Sequence, residues 1–490
     1  MSIAAPWDGQ PQWWLQIASL AVLSRGIAQA PNGRSAAIVA WAFGTAWLAG
    51  TWWWLFISMH TYGGLAAPLA AMAVLGLAAF LASYCGLAGA VIRAFATRNR
   101  VIDALLFACA WLGAELLRVT LFTGFPWGEG GYAHVDGPLA FLAPYIGVHG
   151  ITLIAALLAC GLAQVAAPVE WRSWKNWRVI GATVGLLAAC SIAATPNDDS
   201  PATSKLSVAL LQGNIPQDEK FEGGSGIPLA LEWYGVQLRD TKASLTIAPE
   251  TSIPMLPQQL PAGYLDAVTE RFAKGDQAAL VGIPLGGFRE GYTNSALGFK
   301  PGADVYRYDK YHLVPFGEFI PPLFKWFVHM MNIPLGDFNR GSLTQRSFVW
   351  QGQRIAPNIC YEDLFGEELG VRFAQAEAAP TIFVNVSNIG WFGDSTAIDQ
   401  HLQISRMRSL EFQRPMLRAT NTGATVIIDH RGRVTHSLAR LTRGVLTGEV
   451  EGRTNITPYA AWVSRLGLWP FWLLAFAVTV FAAWRSRRSV

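Results

Sequence analysis

The hydrophobic rhythm of the chain changes twice. Up to about residue 199 long apolar runs dominate, from Ala202 to Val450 they are short and separated by polar stretches, and one long run returns near the end. Crossing the hydrocarbon layer of a bilayer takes about 20 mostly apolar helical residues. Ser35 to Ser58, Ala66 to Ile92, Val101 to Val119, Phe141 to Ala167, Trp177 to Thr195 and Leu466 to Trp484 meet that requirement. Trp13 to Leu23 is shorter and is followed by Arg25, so it reads as a tilted short span or a half-buried segment. The pattern predicts a helical membrane domain over 1–199 with about six spans, a soluble domain over 200–456, and a C-terminal linker and transmembrane helix over 457–490.

In the middle region, Ser207 to Gln212, Ser244 to Ala248, Ala278 to Ile283, Ser295 to Phe299, Ile355 to Ile359, Thr381 to Val386 and Thr425 to Asp429 have strand length and composition. Leu229 to Asp240, Ala262 to Lys274, Glu367 to Ala376 and Ala397 to Glu411 suit helices. Strand–helix alternation over this length predicts an α/β domain whose sheets are covered by helices. It is long enough to bury its own core.

Charge sharpens the division. Of the 70 Asp, Glu, Lys and Arg residues, 50 fall between 200 and 466. Arg25 and Arg34, then Arg93, Arg98 and Arg100, then Arg172, Lys175 and Arg178, and finally Arg485, Arg487 and Arg488 all lie on one face if seven segments cross. Basic residues beside short loops mark the cytoplasmic side. The N-terminus and the soluble domain then lie outside the cytoplasm, in the periplasm of a cell with two membranes. Met1 to Gln12 has neither the basic start nor the apolar core of a cleavable signal peptide. Trp52, Trp53 and Trp54, at the outer end of a span, are expected to anchor it at the interface.

The net charge of +4 comes from those flanks, and no zinc spacing, basic tail or recognition helix points to nucleic acid. The eight histidines show no ligand spacing with cysteines or acids, and no phosphate-cradling glycine loop is present. No metal and no cofactor is expected. Glu115 and Arg118 sit three apart and can pair on one helix face.

Candidate chemistry lies where apolar runs end. Cys360 is the one cysteine of five outside the apolar segments, so it has no partner for a disulfide within its domain. It is either a nucleophile or a buried filler. Glu250 follows Leu245-Thr246-Ile247-Ala248-Pro249, and Lys310 opens Lys310-Tyr311-His312-Leu313-Val314-Pro315-Phe316-Gly317-Glu318. A thiol, a carboxylate and an ammonium are the parts of a covalent acyl-transfer site. Taken singly, Glu250 also suits a helix start, Lys310 a solvated charge and Glu318 a surface ion pair.

The ordered set Ala248-Pro249-Glu250, Lys310 to Glu318 and Ile359-Cys360-Tyr361-Glu362 resembles the nitrilase (carbon–nitrogen hydrolase) superfamily. With the flanking spans and the motifs Gln212-Gly213-Asn214-Ile215-Pro216-Gln217, Thr123-Gly124-Phe125-Pro126-Trp127, Trp391-Phe392-Gly393 and Thr457-Pro458-Tyr459, it is similar to the membrane-embedded branch that completes bacterial lipoprotein maturation. The resemblance implies a nitrilase-like α-β-β-α sandwich on a multi-span helical domain in the inner membrane. It implies transfer of an acyl chain from a phospholipid, typically phosphatidylethanolamine, through a Cys360 thioester to the α-amine of a diacylglyceryl apolipoprotein.

On the same resemblance Glu250 is the general base, Lys310 supports thiolate and oxyanion, and Glu318, Glu362, Tyr361 and Asn294 assist. Phe125, Trp127, Trp326, Trp391 and Phe392 are its lipid- or substrate-binding candidates, and a monomer is expected. The segment Leu323 to Met331 reads as an apolar arm entering the outer leaflet. The chain departs from the branch in three ways. It has one span fewer than the usual eight, Phe221 stands near a common Trp, and Ile389 stands where Asp often follows Ser387-Asn388. A membrane-tethered amidase would use the same triad and pass the acyl group to water, and a transporter or scaffold would need no triad.

Overall fold

The structure is a computed structural model that describes residues 2–97, 99–165, 201–320 and 338–488. The expected span Trp177 to Thr195 and the expected arm Leu323 to Met331 lie outside the described residues. Contacts divide the chain into two compact units: Met1–Trp53, Pro68–Asp199 and Leu466–Val490 form one, and Trp54–Ala67 with Ser200–Arg465 form the other. A short stretch between two N-terminal helices therefore belongs with the soluble part.

Among the described residues of the helical unit, Ala67–Ala94, Arg100–Thr123 and Ala140–Gln164 are long and apolar enough to cross a membrane. Trp469–Arg487 passes that test only when taken together with Pro458–Leu466, a helix that belongs almost wholly to the other unit. The expected span from Ser35 is a helix over Gly33–Thr51 that stops before the tryptophans. Leu20, Ala36, Ala40, Phe107, Ala156, Ala159 and Ala482 build a shared core. Small residues let these helices approach closely: a Cβ on Gly89 would strike Ala36 and Ala40 of the neighbouring helix. The tryptophan cluster corrects the expectation of an interfacial anchor. Trp52 and Trp54 are fully buried and only Trp53 is exposed.

The second unit holds two six-stranded sheets. We number the strands β1 (Ala202–Gln212), β2 (Leu245–Ala248), β3 (Ala278–Gly287), β4 (Gly291–Phe299), β5 (Tyr306–Asp309), β6 (Phe348–Trp350), β7 (Gln353–Ile359), β8 (Ile382–Ser387), β9 (Met416–Thr420), β10 (Val426–Ile428), β11 (Val434–Ser437) and β12 (Gly444–Arg453). The orders are β12-β1-β2-β3-β4-β5 and β11-β10-β9-β8-β7-β6. In each sheet three central strands run parallel, β1-β2-β3 and β7-β8-β9, and the flanking strands are antiparallel.

Strand alternation explains the layering. Leu206, Val208 and Leu210 of β1, Leu245 and Ile247 of β2, and Ile382, Val384 and Val386 of β8 meet in one core between the sheets. The intervening residues face outward. Leu211, Ala248 and Val281 pack with Leu231, Tyr234 and Phe272 from the helices Gly226–Asp240 and Tyr264–Ala273. On the other side Phe383 and Met416 meet Phe412, Tyr459 and Val463. The result is the α-β-β-α sandwich. Residues 458–465, expected to be a linker, supply part of its outer layer. The helix expected over Glu367 to Ala376 is shorter, with one turn at Gly366–Gly370 and a 3-10 turn at Val371–Phe373.

Candidate active site

Three strand ends of this unit carry the candidate residues. Strand β2 is wholly buried and stops at Pro249, which has no N–H to continue the ladder. Glu250 follows, and the chain then turns through Thr251 at φ 50°. Gly282 of β3 faces this turn, where any Cβ would collide with the Pro249 carbonyl and the Glu250 backbone. Strand β5 ends at Asp309, and Lys310 is pinned there by its N–H to the Asn294 carbonyl at 2.8 Å. Its ammonium lies 2.9 Å from Glu318 Oε1 and 3.4 Å from Glu250 Oε1, with the residue 1 % exposed.

Asn294 of β4 joins the two acids, its Nδ2 donating to Glu250 Oε1 and to Glu318 Oε1 at 2.7 Å each. The Asn388 N–H donates to Glu250 Oε2 at 2.8 Å. The Val314 N–H donates to Glu318 Oε2 at 2.9 Å. Burial works to lower the Lys310 pKa, but Glu318, Glu250 and Cys360 together more than offset it and hold the ammonium above its ordinary value. Lys310 is therefore a permanent cation.

Cys360 ends β7 in a left-handed conformation, φ 51°, that a side-chain-bearing residue adopts at a cost in strain. It starts a 3-10 turn, Cys360–Leu364. Glu362 holds that turn from beneath, accepting from the Ile359 N–H at 2.6 Å, the Tyr311 N–H at 2.7 Å and the Tyr308 hydroxyl at 2.9 Å. One carboxylate thus ties the cysteine turn to the segment that carries Lys310. With so many donors Glu362 is a positioning group. Tyr361 is buried against His312 and Phe365.

Burial first, and Glu250 second, push the Cys360 thiol up to about 12, against the opposing pull of Lys310 and Ser387. The thiol is consequently protonated at rest. Lys310 pulls the thiol pKa down without overcoming burial, and both Glu250 and Glu318 are in electrostatic contact with the sulfur.

Sequence reasoning missed a buried charge network behind the cysteine. His401 Nε2 lies 2.8 Å from Asp363 Oδ1 and 3.3 Å from the Cys360 carbonyl. Arg418 donates to His401 Nδ1 at 2.8 Å and to Ser405 Oγ at 2.5 Å, and Ser405 donates to Asp363 Oδ2 at 2.5 Å. Because Arg418 faces Nδ1, the imidazole proton sits on Nε2, where it serves Asp363 and the strained carbonyl. Burial and Arg418 lower the His401 pKa, keeping it neutral. The Asp363 carboxyl, despite burial, is held below its ordinary range by His401 and Arg418. The available signal was Arg418 inside Met416-Leu417-Arg418-Ala419-Thr420, a charge within an otherwise apolar strand.

The other candidates are placed as follows. Trp391 and Phe392 form a 3-10 turn, Ile389–Phe392, directly after Asn388. Within the same unit Trp54 packs on Phe392 at 4.3 Å, and Tyr62 meets Trp391 edge-on at 5.9 Å. Ile389, where the resemblance favours Asp, is buried. Phe125 and Trp127 belong to the helical unit. Phe125 packs on Trp52 at 4.5 Å, and Trp127 is buried, its carbonyl accepting from Trp52 Nε1 and Arg118 at 2.9 Å each. Arg118 uses the same nitrogen for the Phe125 carbonyl at 2.9 Å, and Glu115 accepts from the Gly130 N–H at 3.0 Å. Trp326 lies outside the described residues. Among the described residues no group of three or more His, Cys, Asp and Glu side chains is placed to hold a metal ion.

A four-layer sandwich with a thiol, a carboxylate and an ammonium at its strand ends defines a class, and residues 207–459 match the family described as Carbon-nitrogen hydrolase. Residues 2–161 match the Apolipoprotein N-acyltransferase N-terminal domain. The chain is 58 % identical to the Apolipoprotein N-acyltransferase of Verminephrobacter eiseniae (strain EF01-2), across 95 % of this chain and 91 % of that one. It is 48 % identical to that of Ralstonia nicotianae, across 91 % and 85 %, and 42 % identical to that of Bordetella bronchiseptica, across 98 % and 94 %. The chain belongs to the apolipoprotein N-acyltransferase family.

Proposed function

We propose that this protein moves a fatty acyl chain from a membrane phospholipid, typically phosphatidylethanolamine, to the N-terminal α-amine of diacylglyceryl-cysteine in apolipoproteins. Glu250 takes the Cys360 proton as the sulfur attacks the ester carbonyl, and the Lys310 ammonium stabilises the resulting oxyanion. Collapse expels the glycerol oxygen, which recovers the proton from Glu250, leaving a lysophospholipid and a Cys360 thioester. The acceptor amine then attacks the thioester and gives its proton to Glu250. The sulfur leaves and is reprotonated, closing a ping-pong cycle.

Glu318 and Asn294 hold Lys310 and Glu250 in register, Glu362 holds the cysteine turn, and Tyr361 packs that turn. Trp391 and Phe392 are assigned to the substrate-facing side of the site. Phe125, Trp127 and Trp326 are assigned to the lipid route, with buried Trp127 acting through its packing. The basic flanks favour an inner-membrane protein with this unit in the periplasm, and the protein is taken to act as a monomer. The observation that carries the proposal is the Lys310 ammonium within 3.4 Å of Glu250, with both in electrostatic contact with Cys360.

Intact-mass analysis of the purified protein with phosphatidylethanolamine tests it. One acyl chain gained at Cys360, released by hydroxylamine, transferable to a diacylglyceryl peptide and absent from Cys360→Ala, is the expected result. Ammonia release from simple amides without lysophospholipid would overturn it in favour of an amidase.

A further inference from the structure

Lys220 is a buried lysine that the chemistry above does not use. It sits in the turn after Pro216-Gln217, and only 1 % of it reaches solvent. Its ammonium donates to the backbone carbonyl of Glu250 at 3.2 Å and feels the charges of the Glu250 and Cys360 side chains. The placement is built in. Gly226, which opens the helix Gly226–Asp240, lies so close to Glu219 and Lys220 that any Cβ there would strike both.

A buried ammonium is expensive unless negative charge surrounds it. Here the charge count supplies the reason. Lys310 alone faces both Glu250 and Glu318, so one ammonium against two carboxylates leaves an excess negative charge where a thiolate and an oxyanion must form. Glu362 lies beyond that pair, tied to the Ile359 and Tyr311 N–H groups, and burial raises its pKa against the opposing pull of those N–H groups, Lys310 and Arg372.

We infer that Lys220 is a positioning residue for the acyl-transfer chemistry: a second buried ammonium that fixes the Glu250 turn through its carbonyl and balances the negative charge arising at Cys360. The inference rests on the reading of Cys360 as the nucleophile. Burial pulls the Lys220 pKa down to about 8, partly opposed by Glu250 and Cys360, so the ammonium is present at neutral pH and is lost just above it. Asp218, Glu219 and Glu222 are the charged residues of its own turn, while Glu250 and Cys360 face it from the elements packed against it.

Alkylation of Cys360 by iodoacetamide, followed by peptide mass spectrometry from pH 6 to 10, reads this without any lipid substrate. For an ordinary thiol below its pKa the log rate rises with a slope of about one per pH unit. In the full-length protein we expect the slope to fall below one above pH 8, because each thiolate must then form beside a neutral Lys220. Lys220→Arg keeps its charge and should hold unit slope throughout. Lys220→Met should react at least about tenfold more slowly at pH 7, again with unit slope. Superimposable wild-type and Lys220→Arg profiles would overturn the inference, and that pair decides it even where Lys220→Met fails to fold. Lysophospholipid release by the wild type, measured in parallel, reports separately on the acyltransferase reading: its absence alongside the expected alkylation profiles would sink that reading and leave Lys220 in place.

Discussion

The two sheets of the sandwich share a plan and hold their functional groups by different means. The sheet containing β2 and β5 presents Glu250 and Lys310, which are fixed mainly by Asn294, Glu318 and the Asn388 N–H, within the cluster proposed to carry out the reaction. The sheet containing β7 presents Cys360 on a strained turn, braced from behind by Asp363, His401, Ser405 and Arg418. On the first side a substitution should disturb chemistry more than folding. On the second a substitution away from the sulfur should disturb both, because the brace is a buried ion network whose broken members are left uncompensated.

The largest expected effect comes from the sulfur itself. Cys360→Ala should reduce acyl transfer by about 10⁴-fold or more, measured as lysophospholipid release, with little change in thermal unfolding. Glu250→Gln preserves shape and removes the proposed base. We expect a loss of about 10²- to 10⁴-fold, and near-normal single-turnover thioester formation in that variant would break the assignment. On the opposite sheet, Arg418→Met should destabilise by about 3–5 kcal/mol and lower turnover as well, read by unfolding in detergent beside the activity assay.

Asn294→Ala sharpens the contrast. It removes one donor shared by two carboxylates and should cost about 1–3 kcal/mol, appearing mainly in kcat. If it unfolds the protein as readily as Arg418→Met does, the two sheets do not differ as described. The smallest effect is one of pH. With the thiol pushed up to about 12, the protonated form prevails below that value, so wild-type alkylation of Cys360 should still be climbing at pH 10. Lys220→Arg, which lacks the bend expected from Lys220, separates the two causes: a plateau near pH 8 in that variant would mean that the thiolate is already stabilised at rest.

Much of the site was legible because its residues stand at the ends of apolar strands. Glu250 after β2 and Cys360 after β7 could be found that way. Lys310 was visible through its motif, although the strand before it, Tyr306-Arg307-Tyr308-Asp309, carries charges and does not read as a strand. Strands β6, β9, β11 and β12 were missed for related reasons. β6 and β11 are short edge strands, β12 alternates charge with apolar residues, and Arg418 interrupts the apolar run of the central strand β9. Lys220 and Arg418 were not singled out in one dimension and are buried in three.

By itself the sequence determined the division into membrane-crossing and soluble parts, the strand–helix alternation, and the three residue types available for acyl transfer. These follow from periodicity and composition, which are local properties of the chain. The tertiary structure decided which charges are buried, which carboxylates lie in electrostatic contact with the thiol and which holds a turn, and that Trp54–Ala67 packs with the two-sheet unit. Those outcomes depend on desolvation and on partners far apart in sequence, as with Glu250 and Asn388 at 138 residues' separation, and no local pattern encodes them.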